Sequence, residues 1–402
     1  MPKPDIYTRK MIDVLSPNVK AAILKQYIGD TFEFVGCTHE AGYENEFLEH
    51  YPMERHSVFK TTTELGTYNH HQLIAKWKGK YWCIWDNCKT HEEMPGQSTY
   101  IVYSEDAKNW SERILVAEGD EEGGMLRNVG SLYATEDKIY AIIQRKWNIS
   151  RALMQGMSTL DNRACSDSLD LWSSSDGLHW ELCKEGLVDA MWLLENIRLT
   201  KEGRLMGPVS THNMCPGVAL WPGDNPEETP EIIEMPYKGN MDDYFSGHDE
   251  GLFVFGEASW YTDDDNRIWM WHRDESASGY LGVALSEDGG KSWTEVMRSN
   301  LPDAMSRIHA GRFSDGRFYL VGNSTRSFMN RNFFSIMLSD DGAKFNRIIR
   351  LIEEPTKQRF KGHLKVDGYA YPSCLVEEDR LLMVYSVNKE DIECGIIDTN
   401  KI

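Results

Sequence analysis

The sequence predicts an all-β fold, a six-bladed β-propeller with four-stranded antiparallel blades, from three observations. A turn at residues 286–293 has the form Ser-x-Asp-x-Gly-x-x-Trp and recurs in shorter versions elsewhere in the chain. A unit of about 60 residues with four strand-like runs repeats from Asn69 onward. The 13 Trp, 18 Tyr and 14 Phe residues suit stacked sheets with aromatic side chains between them. Repetition of a short β-unit along one chain is typical of a propeller.

The turn at residues 286–293 is predicted to join two strands as a hairpin, because apolar runs precede and follow it. Ser286 and Asp288 can hydrogen-bond the backbone of the turn, and its glycines permit unusual dihedral angles. Trp293 can pack beneath the turn. Shorter versions occupy residues 104–110, 174–180 and 339–345, and the last of them ends in Phe rather than Trp.

These four turns resemble the Asp-box of the sialidase-like (BNR-repeat) β-propellers, and the resemblance covers most of the chain from Asn69 onward. In that superfamily the box joins the two outer strands of a blade. The resemblance implies the architecture but not the chemistry, because non-enzymatic propellers also carry the box.

Each repeat begins with an apolar strand that would lie nearest the propeller axis, and a second strand follows after a short turn. The innermost strands are predicted to begin near His70, Asn128, Met191, Gly247, Arg307 and Tyr369. The second strands are predicted at residues 79–85, 137–143, 203–207, 266–271, 316–321 and 379–385. The unit at 191–246 has no recognisable box, and a Pro-Gly-Asp-Asn turn at 222–225 takes its place.

The two ends of the chain are predicted to meet in the last blade. Residues from Tyr369 onward supply only three strands, so the fourth is expected from the N-terminal region, at residues 31–37. Such closure removes a free sheet edge. Residues 38–68 could hide a seventh blade, but this polar stretch is short for one, and six blades are preferred.

Residues 1–30 are predicted to form a short helical extension on the outside of the propeller, which would then span 31–402 as a single domain. Ser16 and Pro17 suit the N-cap and the first position of this helix.

Composition argues against several classes of partner and location. The net charge of −20 disfavours nucleic acid, because phosphate binding favours a basic patch. No apolar run reaches the length of a membrane span, so a membrane partner is not expected. The eight cysteines show no CxxC pair, which indicates buried free thiols. Free thiols and the lack of a secretory apolar region favour a cytoplasmic location, with a secreted protein that has lost its signal as the alternative.

Candidate site residues lie in the loops that precede the first strand and follow the second strand of each blade. In this architecture those loops emerge near the axis, on the face opposite the boxes, and we expect them to line one central pocket. The candidates for catalysis are His70, His71, His248 and Tyr371. The candidates for substrate binding are Asp86, Arg127, Arg145, Glu195, His212, Asp249, His272, Arg273, Arg307, Arg326, Asn388 and Lys389.

This set of residue types suits cleavage beside an acidic sugar. Arginine forks bind a carboxylate, and glycosidic cleavage needs a proton donor together with a base or nucleophile. A neutral imidazole titrates near the working pH, so His70 or His71 is the preferred acid or base. Because adjacent strand residues point to opposite faces, one histidine of the pair is expected to be structural.

The Asn-His-His-Gln stretch at 69–72, together with residues 92–97, also resembles propellers related to sialidases that process rhamnosyl-glucuronate linkages and ulvan-type uronates. That group contains a rhamnosidase-like family and polysaccharide lyases, whose chemistry is carried by His with Tyr and Arg assisting. The resemblance implies an enzyme that cleaves a linkage at or beside a uronic sugar, as a lyase or as a glycoside hydrolase. Its partner would be an acidic oligosaccharide or polysaccharide.

Two other functions are left open by the sequence. A sialidase-type hydrolase would use a Tyr nucleophile paired with Glu. The stretch at 371–374, Tyr-Pro-Ser-Cys, resembles the corresponding Tyr-Ser-Cys motif, although the family's Arg-Ile-Pro motif is missing. The second function left open is that of a non-catalytic carbohydrate-binding propeller. A metal site is not favoured, because neither HExxH nor a tight His/Asp spacing occurs, and no cofactor is expected. The residues that could supply a sialidase-type arginine cluster are Arg145, Arg273, Arg307 and Arg326.

Overall fold

The computed structural model describes residues 49–147, 168–193, 195–212, 215–236, 255–274, 279–352 and 354–402. Six sheets, each with four main antiparallel strands, form the six blades of a propeller. The predicted six-bladed all-β fold is therefore confirmed. The helix predicted at 1–30 lies outside the described residues.

Each blade is built from consecutive strands that run from the axis outward. The described chain opens with β1 (Glu49–His50) and β2 (Glu54–Phe59). Blade I contains β3 (Tyr68–Trp77), β4 (Lys80–Cys88), β5 (Ser98–Ser104) and β6 (Ile114–Ala117). Blade II contains β7 (Met125–Ala134), β8 (Ile139–Trp147), β9 (Ser168–Ser174) and β10 (Glu181–Val188).

Blade III differs from its neighbours because its innermost strand is split in two. It contains β11 (Trp192–Leu193), β12 (Arg198–Leu199), β13 (Leu205–Ser210), β14 (Pro216–Leu220) and β15 (Glu231–Glu234). Both β11 and β12 pair with β13. Blade IV contains β16 (Phe255–Thr262), β17 (Ile268–Asp274), β18 (Tyr280–Ser286) and β19 (Met297–Pro302).

The last two blades complete the ring. Blade V contains β20 (His309–Arg312), β21 (Phe318–Gly322), β22 (Phe334–Ser339) and β23 (Arg347–Ile352). Blade VI contains β24 (Tyr369–Glu377), β25 (Arg380–Val387) and β26 (Asp391–Asp398), and a 3-10 turn at Thr399–Lys401 follows. The innermost strand predicted near Gly247 is observed in the described chain as β16, which begins at Phe255.

Strand β2 closes the ring by pairing antiparallel with β26, as the fourth strand of blade VI. The prediction that residues 31–37 supply this strand is therefore wrong, and those residues lie outside the described part of the chain. Arg55 on β2 donates from Nε and Nη2 to Glu393 Oε2 at 3.0 and 2.8 Å. Val58 is buried between blades VI and I. Short β1 pairs parallel with the outer strand of blade V.

The four predicted box turns are observed between the third and fourth strands of blades I, II, IV and V. In the longest, Asp288 Oδ1 accepts hydrogen bonds from the amides of Lys291 and Ser292 at 3.0 and 2.8 Å. Trp293 Nε1 donates to the carbonyl oxygen of Gly290 at 3.0 Å. In blade III the turn at 222–225 occupies the same position between β14 and β15.

The hydrophobic core consists of six clusters, and each lies between two neighbouring blades. Trp85 of blade I packs with Val384 of blade VI, for example. Trp271 of blade IV meets Phe345 of blade V edge to face, with ring centroids 5.6 Å apart. Truncation of one such large side chain to Ala costs about 3–5 kcal/mol of stability, so these contacts between blades contribute substantially to the stability of the ring.

Residues 195–198, which we call the axial segment, leave blade III between β11 and β12 and cross the centre of the ring. Asn196 donates to the carbonyl oxygen of Ile74 in blade I at 2.9 Å and accepts from the amide of Leu132 in blade II at 2.8 Å. Arg198 donates to backbone carbonyls of blades IV and V at 2.6 and 3.1 Å. The axial segment thus ties five blades together below the candidate site.

All six cysteines in the described ranges are free thiols. Four of them are buried, as predicted, whereas Cys183 is exposed and Cys215 is half-buried. No helix among the described residues combines the length and the apolar character needed to cross a membrane.

Candidate active site

Two innermost strands place candidate catalytic residues at β-bulges near the axis. The register between β3 and β4 shifts between His70 and Leu73, and that between β24 and β25 shifts between Ala370 and Ser373. His71 and Tyr371 both have a φ of 58°, a left-handed conformation that residues other than glycine rarely adopt. Bulges re-aim side chains, and such backbone strain is concentrated at functional sites.

The bulge in β3 brings both adjacent histidines against Tyr371. The ring centroids of His70 and His71 lie 4.1 and 5.4 Å from that of Tyr371, and 4.7 Å from each other. Both rings thus lie against Tyr371, because the left-handed backbone at His71 breaks the alternation of a regular strand. That one histidine of the pair is structural stays a prediction.

Tyr371 forms a charged triad with two residues of blade IV. Arg273 Nη1 lies 2.5 Å from Tyr371 Oη and 2.6 Å from Glu257 Oε2, and the phenol also hydrogen-bonds Glu257. Burial alone would raise the pKa of Glu257, but the guanidiniums of Arg273 and Arg307 lower it to about 2. Burial raises the pKa of Tyr371. An ionised carboxylate therefore lies beside a neutral phenol.

Three further cationic groups surround the Tyr371 ring. The guanidinium carbons of Arg307 and Arg331 lie 4.8 and 5.3 Å from its centroid, and Lys389 Nζ lies 5.9 Å away. Arg331 is buried, and its Nε and Nη1 find no hydrogen-bond partner within the described chain. Such a concentration of positive charge suits an anionic group of a ligand.

The two histidines are held by different partners. Ser386 Oγ lies 2.8 Å from His70 Nδ1, and Asp86 Oδ2 lies 3.1 Å from His71 Nδ1. Burial lowers the pKa of His70 well below its usual value and that of His71 to about 3. Burial also raises the pKa of Asp86 well above its usual value. Both shifts favour the uncharged forms of the pair, a protonated Asp86 beside a neutral His71 imidazole.

Glu92, in the loop after β4, lies on the side of the His71 ring away from Asp86. Its Oε2 is 2.5 Å from Lys389 Nζ, and its Oε1 is 3.8 Å from His71 Nε2. His70, His71 and Glu92 each present a possible metal-ligand atom, and these three atoms lie within 4.8 Å of one another.

Of the candidates from the sequence, the structure brings six to the Tyr371 cluster in addition to Tyr371 itself: His70, His71, Asp86, Arg273, Arg307 and Lys389. They come from blades I, IV, V and VI. His248 and Asp249 lie outside the described residues.

Two arginine candidates of blade II bind a different carboxylate. Arg127 Nη1 and Arg145 Nε lie 3.2 and 3.4 Å from Asp170 Oδ2, and Arg145 also pairs with Glu185. Asp170 belongs to the third strand of the blade, so this group lies within blade II rather than beside Tyr371.

Three other candidates are placed away from the phenol. Glu195 belongs to the axial segment, where it accepts from Ser259 Oγ at 2.6 Å. His212 is exposed, with Nε2 3.0 Å from Asp189. His272 is buried on the opposite face of β17 from Arg273, and burial lowers its pKa to about 4.

The last two candidates have local roles. Arg326 is exposed and stacks on the ring of Tyr280, 4.2 Å from its centroid. Asn388 accepts from the amide of Gly368 at 2.9 Å and so fixes the entry to β24.

Sequence reasoning missed Glu257, Glu92, Arg331 and Ser386 as site residues. Glu257 lies inside β16, which begins eight residues later than the expected start near Gly247. Glu257 therefore did not coincide with the expected start of the strand, where site residues were sought. Arg331 lies in the long connection before β22, beyond the polar segment that follows β21. An acidic residue within the apolar β16 (Phe-Gly-Glu-Ala-Ser-Trp) is the one signal that could have indicated Glu257.

The arrangement contains the parts of a covalent glycosyl transfer. A phenol with an adjacent carboxylate can act as a nucleophile, a guanidinium can stabilise the phenolate, and an acid–imidazole pair can move a proton. The fold and this site together define a sialidase-like six-bladed β-propeller. The chain belongs to the BNR repeat-like domain family, whose model matches residues 73–384. No curated protein matches the sequence.

Solved structures resemble the chain in fold at low sequence identity. A protein of unknown function from Dyadobacter fermentans DSM 18053 has 14% identity and a TM-score of 0.59, with 86% of this chain and 98% of that chain covered. The Hadza microbial sialidase Hz136 has 13% identity and a TM-score of 0.65, with 87% and 69% covered. The NanB sialidase from Streptococcus pneumoniae has 12% identity and a TM-score of 0.61, with 88% and 71% covered. At these identities the likeness shows the fold alone.

Proposed function

We propose that the chain is a glycoside hydrolase that acts on a sugar bearing a carboxylate and uses Tyr371 as its nucleophile. The observation that carries this proposal is the contact of Arg273 with both Tyr371 Oη and Glu257. Tyrosine is a recognised nucleophile in glycoside hydrolysis, but it must lose its proton as it attacks. Glu257 is placed to accept that proton, and Arg273 is placed to stabilise the phenolate.

A carboxylate on the substrate is supported by the cations around Tyr371. A buried guanidinium without an anion is unfavourable, and Arg331 has two unsatisfied nitrogen donors in the described structure. A carboxylate that accepts hydrogen bonds from Arg331 and Arg307 would offset that cost and orient the sugar. The proposed partner is therefore an acidic oligosaccharide, of which a uronic acid or a sialic acid is one possible terminal unit.

In the first step, Tyr371 Oη bonds to the anomeric carbon while Glu257 takes the phenolic proton. The bond from that carbon to the leaving oxygen breaks, and the leaving oxygen takes the proton from His71 Nε2. Asp86 passes its proton to His71 Nδ1 at the same time, so the imidazole stays neutral and Asp86 becomes ionised. The 3.1 Å contact between these two residues supports such a relay.

In the second step, water replaces Tyr371 at the anomeric carbon. His71 Nε2 takes a proton from the water as Nδ1 returns its own to Asp86. The phenolate leaves and recovers its proton from Glu257, which restores the starting state. Two displacements at one carbon retain its configuration.

The proposal is tested on a panel of acidic oligosaccharides and aryl glycosides, with released sugar and ultraviolet absorbance measured in parallel. On a substrate that is turned over, Tyr371→Phe and Glu257→Gln are expected to lower kcat by about 10²- to 10⁴-fold. A fluorinated substrate analogue should leave a covalent adduct on Tyr371, which peptide mass spectrometry detects.

Tyr103→Phe is the matched control, because Tyr103 packs in a tilted contact with Trp82 in blade I beside a box turn, and the rate of this variant should not change. An unsaturated product that absorbs in the ultraviolet would show that the enzyme cleaves by elimination and not by hydrolysis. Binding of a sugar without turnover across the panel would indicate a non-catalytic module. Full activity of folded Tyr371→Phe would remove the nucleophile assignment.

A further inference from the structure

We infer that His70, His71 and Glu92 form a binding site for a divalent transition-metal ion such as Zn²⁺, at the edge of the Tyr371 cluster. The inference that an ion binds depends only on the positions of the donor atoms. Its consequence for activity rests on the proposed function, because an ion here would withdraw His71 from proton transfer.

In each imidazole Nδ1 already has a hydrogen-bond partner, which leaves Nε2 to bind the ion. Nδ1 of His70 is engaged by Ser386 and Nδ1 of His71 by Asp86. Nε2 of His70 is buried and has no hydrogen-bond partner in the described structure. A hydrogen-bond partner on the second ring nitrogen, often a carboxylate, is the usual support of a metal-binding histidine, since it fixes the orientation of the ring.

The third donor is the carboxylate of Glu92, which also pairs with a cation. Lys389 Nζ lies 2.5 Å from Oε2 of Glu92 and competes with an ion for this carboxylate, whereas Oε1 lies 3.8 Å from His71 Nε2. The three possible ligand atoms lie within 4.8 Å of one another. Ligands of a tetrahedral zinc ion lie about 3.3 Å apart for bond lengths of about 2.0–2.1 Å, so side-chain shifts of about 1 Å would complete the site.

The donor set selects the class of ion. Two imidazole nitrogens and one carboxylate oxygen suit Zn²⁺ and its neighbours in the first transition row, whereas Ca²⁺ and Mg²⁺ prefer oxygen ligands. Nearby Lys389, Arg307 and Arg331 oppose a cation, and we therefore expect the affinity to rise when Lys389 is neutralised.

The test is titration of the full chain, stripped with a chelator, with Zn²⁺ by calorimetry and with Co²⁺ by visible absorption. The wild-type protein is expected to bind one ion with a spectrum typical of nitrogen and oxygen ligands. His70→Ala, His71→Ala and Glu92→Gln should each weaken binding by at least about 10-fold, and Ser386→Ala by about 10- to 100-fold through loss of the support at His70. Lys389→Met should bind more tightly than the wild type.

His179→Ala is the matched control, because His179 also pairs with an aspartate, at 2.7 Å, but lies exposed on a box turn. Equal binding by all variants, loss of binding in the control alone, or no binding by the wild type would overturn the site. Circular dichroism identifies any variant that does not fold. If the variants of the three ligands do not fold, Lys389→Met still tests the site, because this substitution is expected to strengthen binding.

Activity separates this inference from the proposed function. Chelated protein should hydrolyse its substrate, and Zn²⁺ should inhibit it at the concentrations that saturate the calorimetric site. If the protein binds the ion at these three residues but hydrolyses no substrate, the metal site is supported and the proposed hydrolase function is wrong. Binding without inhibition of an active enzyme would overturn the inhibitory consequence.

Discussion

At the scale of single residues, the described part of the ring holds three buried histidines, His70, His272 and His309, and the half-buried His71. Burial lowers the pKa of every one of them. In the unfolded chain these side chains titrate near pH 6.5. Between the unfolded and the folded pKa the unfolded state binds more protons, so stability falls as the pH is lowered through this range.

His272 allows this to be measured outside the Tyr371 cluster. Its pKa of about 4 in the folded protein predicts a loss of about 2 kcal/mol of unfolding free energy between pH 8 and pH 5 from this residue alone. The loss should level off below pH 4, where both states are protonated. His272→Gln should remove that part of the pH dependence in urea denaturation, whereas His179→Gln, on an exposed residue, should not. The same pH slope in His272→Gln and the wild type would contradict the assignment.

At the scale of elements, the box turns and the bulges have different origins. A box is complete within eight residues, because Asp288 bonds only the turn that contains it. The bulges at His71 and Tyr371 depend on pairing with the next strand and on packing around the ring. Local sequence therefore specifies the box, whereas the bulge is specified by tertiary contacts that no short window contains.

The box of blade IV gives a prediction about stability. Asp288→Ala removes an acceptor shared by two backbone amides and should lower the free energy of unfolding by about 1.5–3 kcal/mol, the range for hydrogen bonds to charged groups. Asp224→Ala, in the exposed turn that replaces the box in blade III, should change it by less than about 0.5 kcal/mol. Urea denaturation of both variants makes the comparison, and equal effects would show that the box adds no stability.

The same distinction explains what the sequence could predict. Repeated turns and apolar runs predicted six blades, and polar strand mouths predicted His70, His71 and Tyr371. The closing strand was misplaced because Glu54–Phe59 is an edge strand with one buried residue, whereas residues 31–37 are more apolar. Glu257 and Arg331 reach Tyr371 only through ring closure, so their role could not be predicted from local patterns.

At the scale of the whole molecule, the ring depends on β2, which joins blade VI to the N-terminal part of the described chain. Val58 is buried in the cluster between blades VI and I, and its neighbour Ser57 is exposed. Val58→Asp should lower the free energy of unfolding by about 3 kcal/mol, since it buries an unpaired charge. Ser57→Asp should be nearly neutral. Comparable losses in the two variants, measured by urea denaturation, would show that β2 is not packed as described.

The axial segment has a consequence for how a polymer could approach Tyr371. Asn196 bonds Ile74 on β3, three residues beyond His71 and so about 10 Å deeper along the strand. In the described structure this segment lies across the ring on the inner side of His71. Under the proposed hydrolase function we therefore expect a long substrate to present its terminus to Tyr371, to be shortened from that end, and to release each product through the mouth by which it entered.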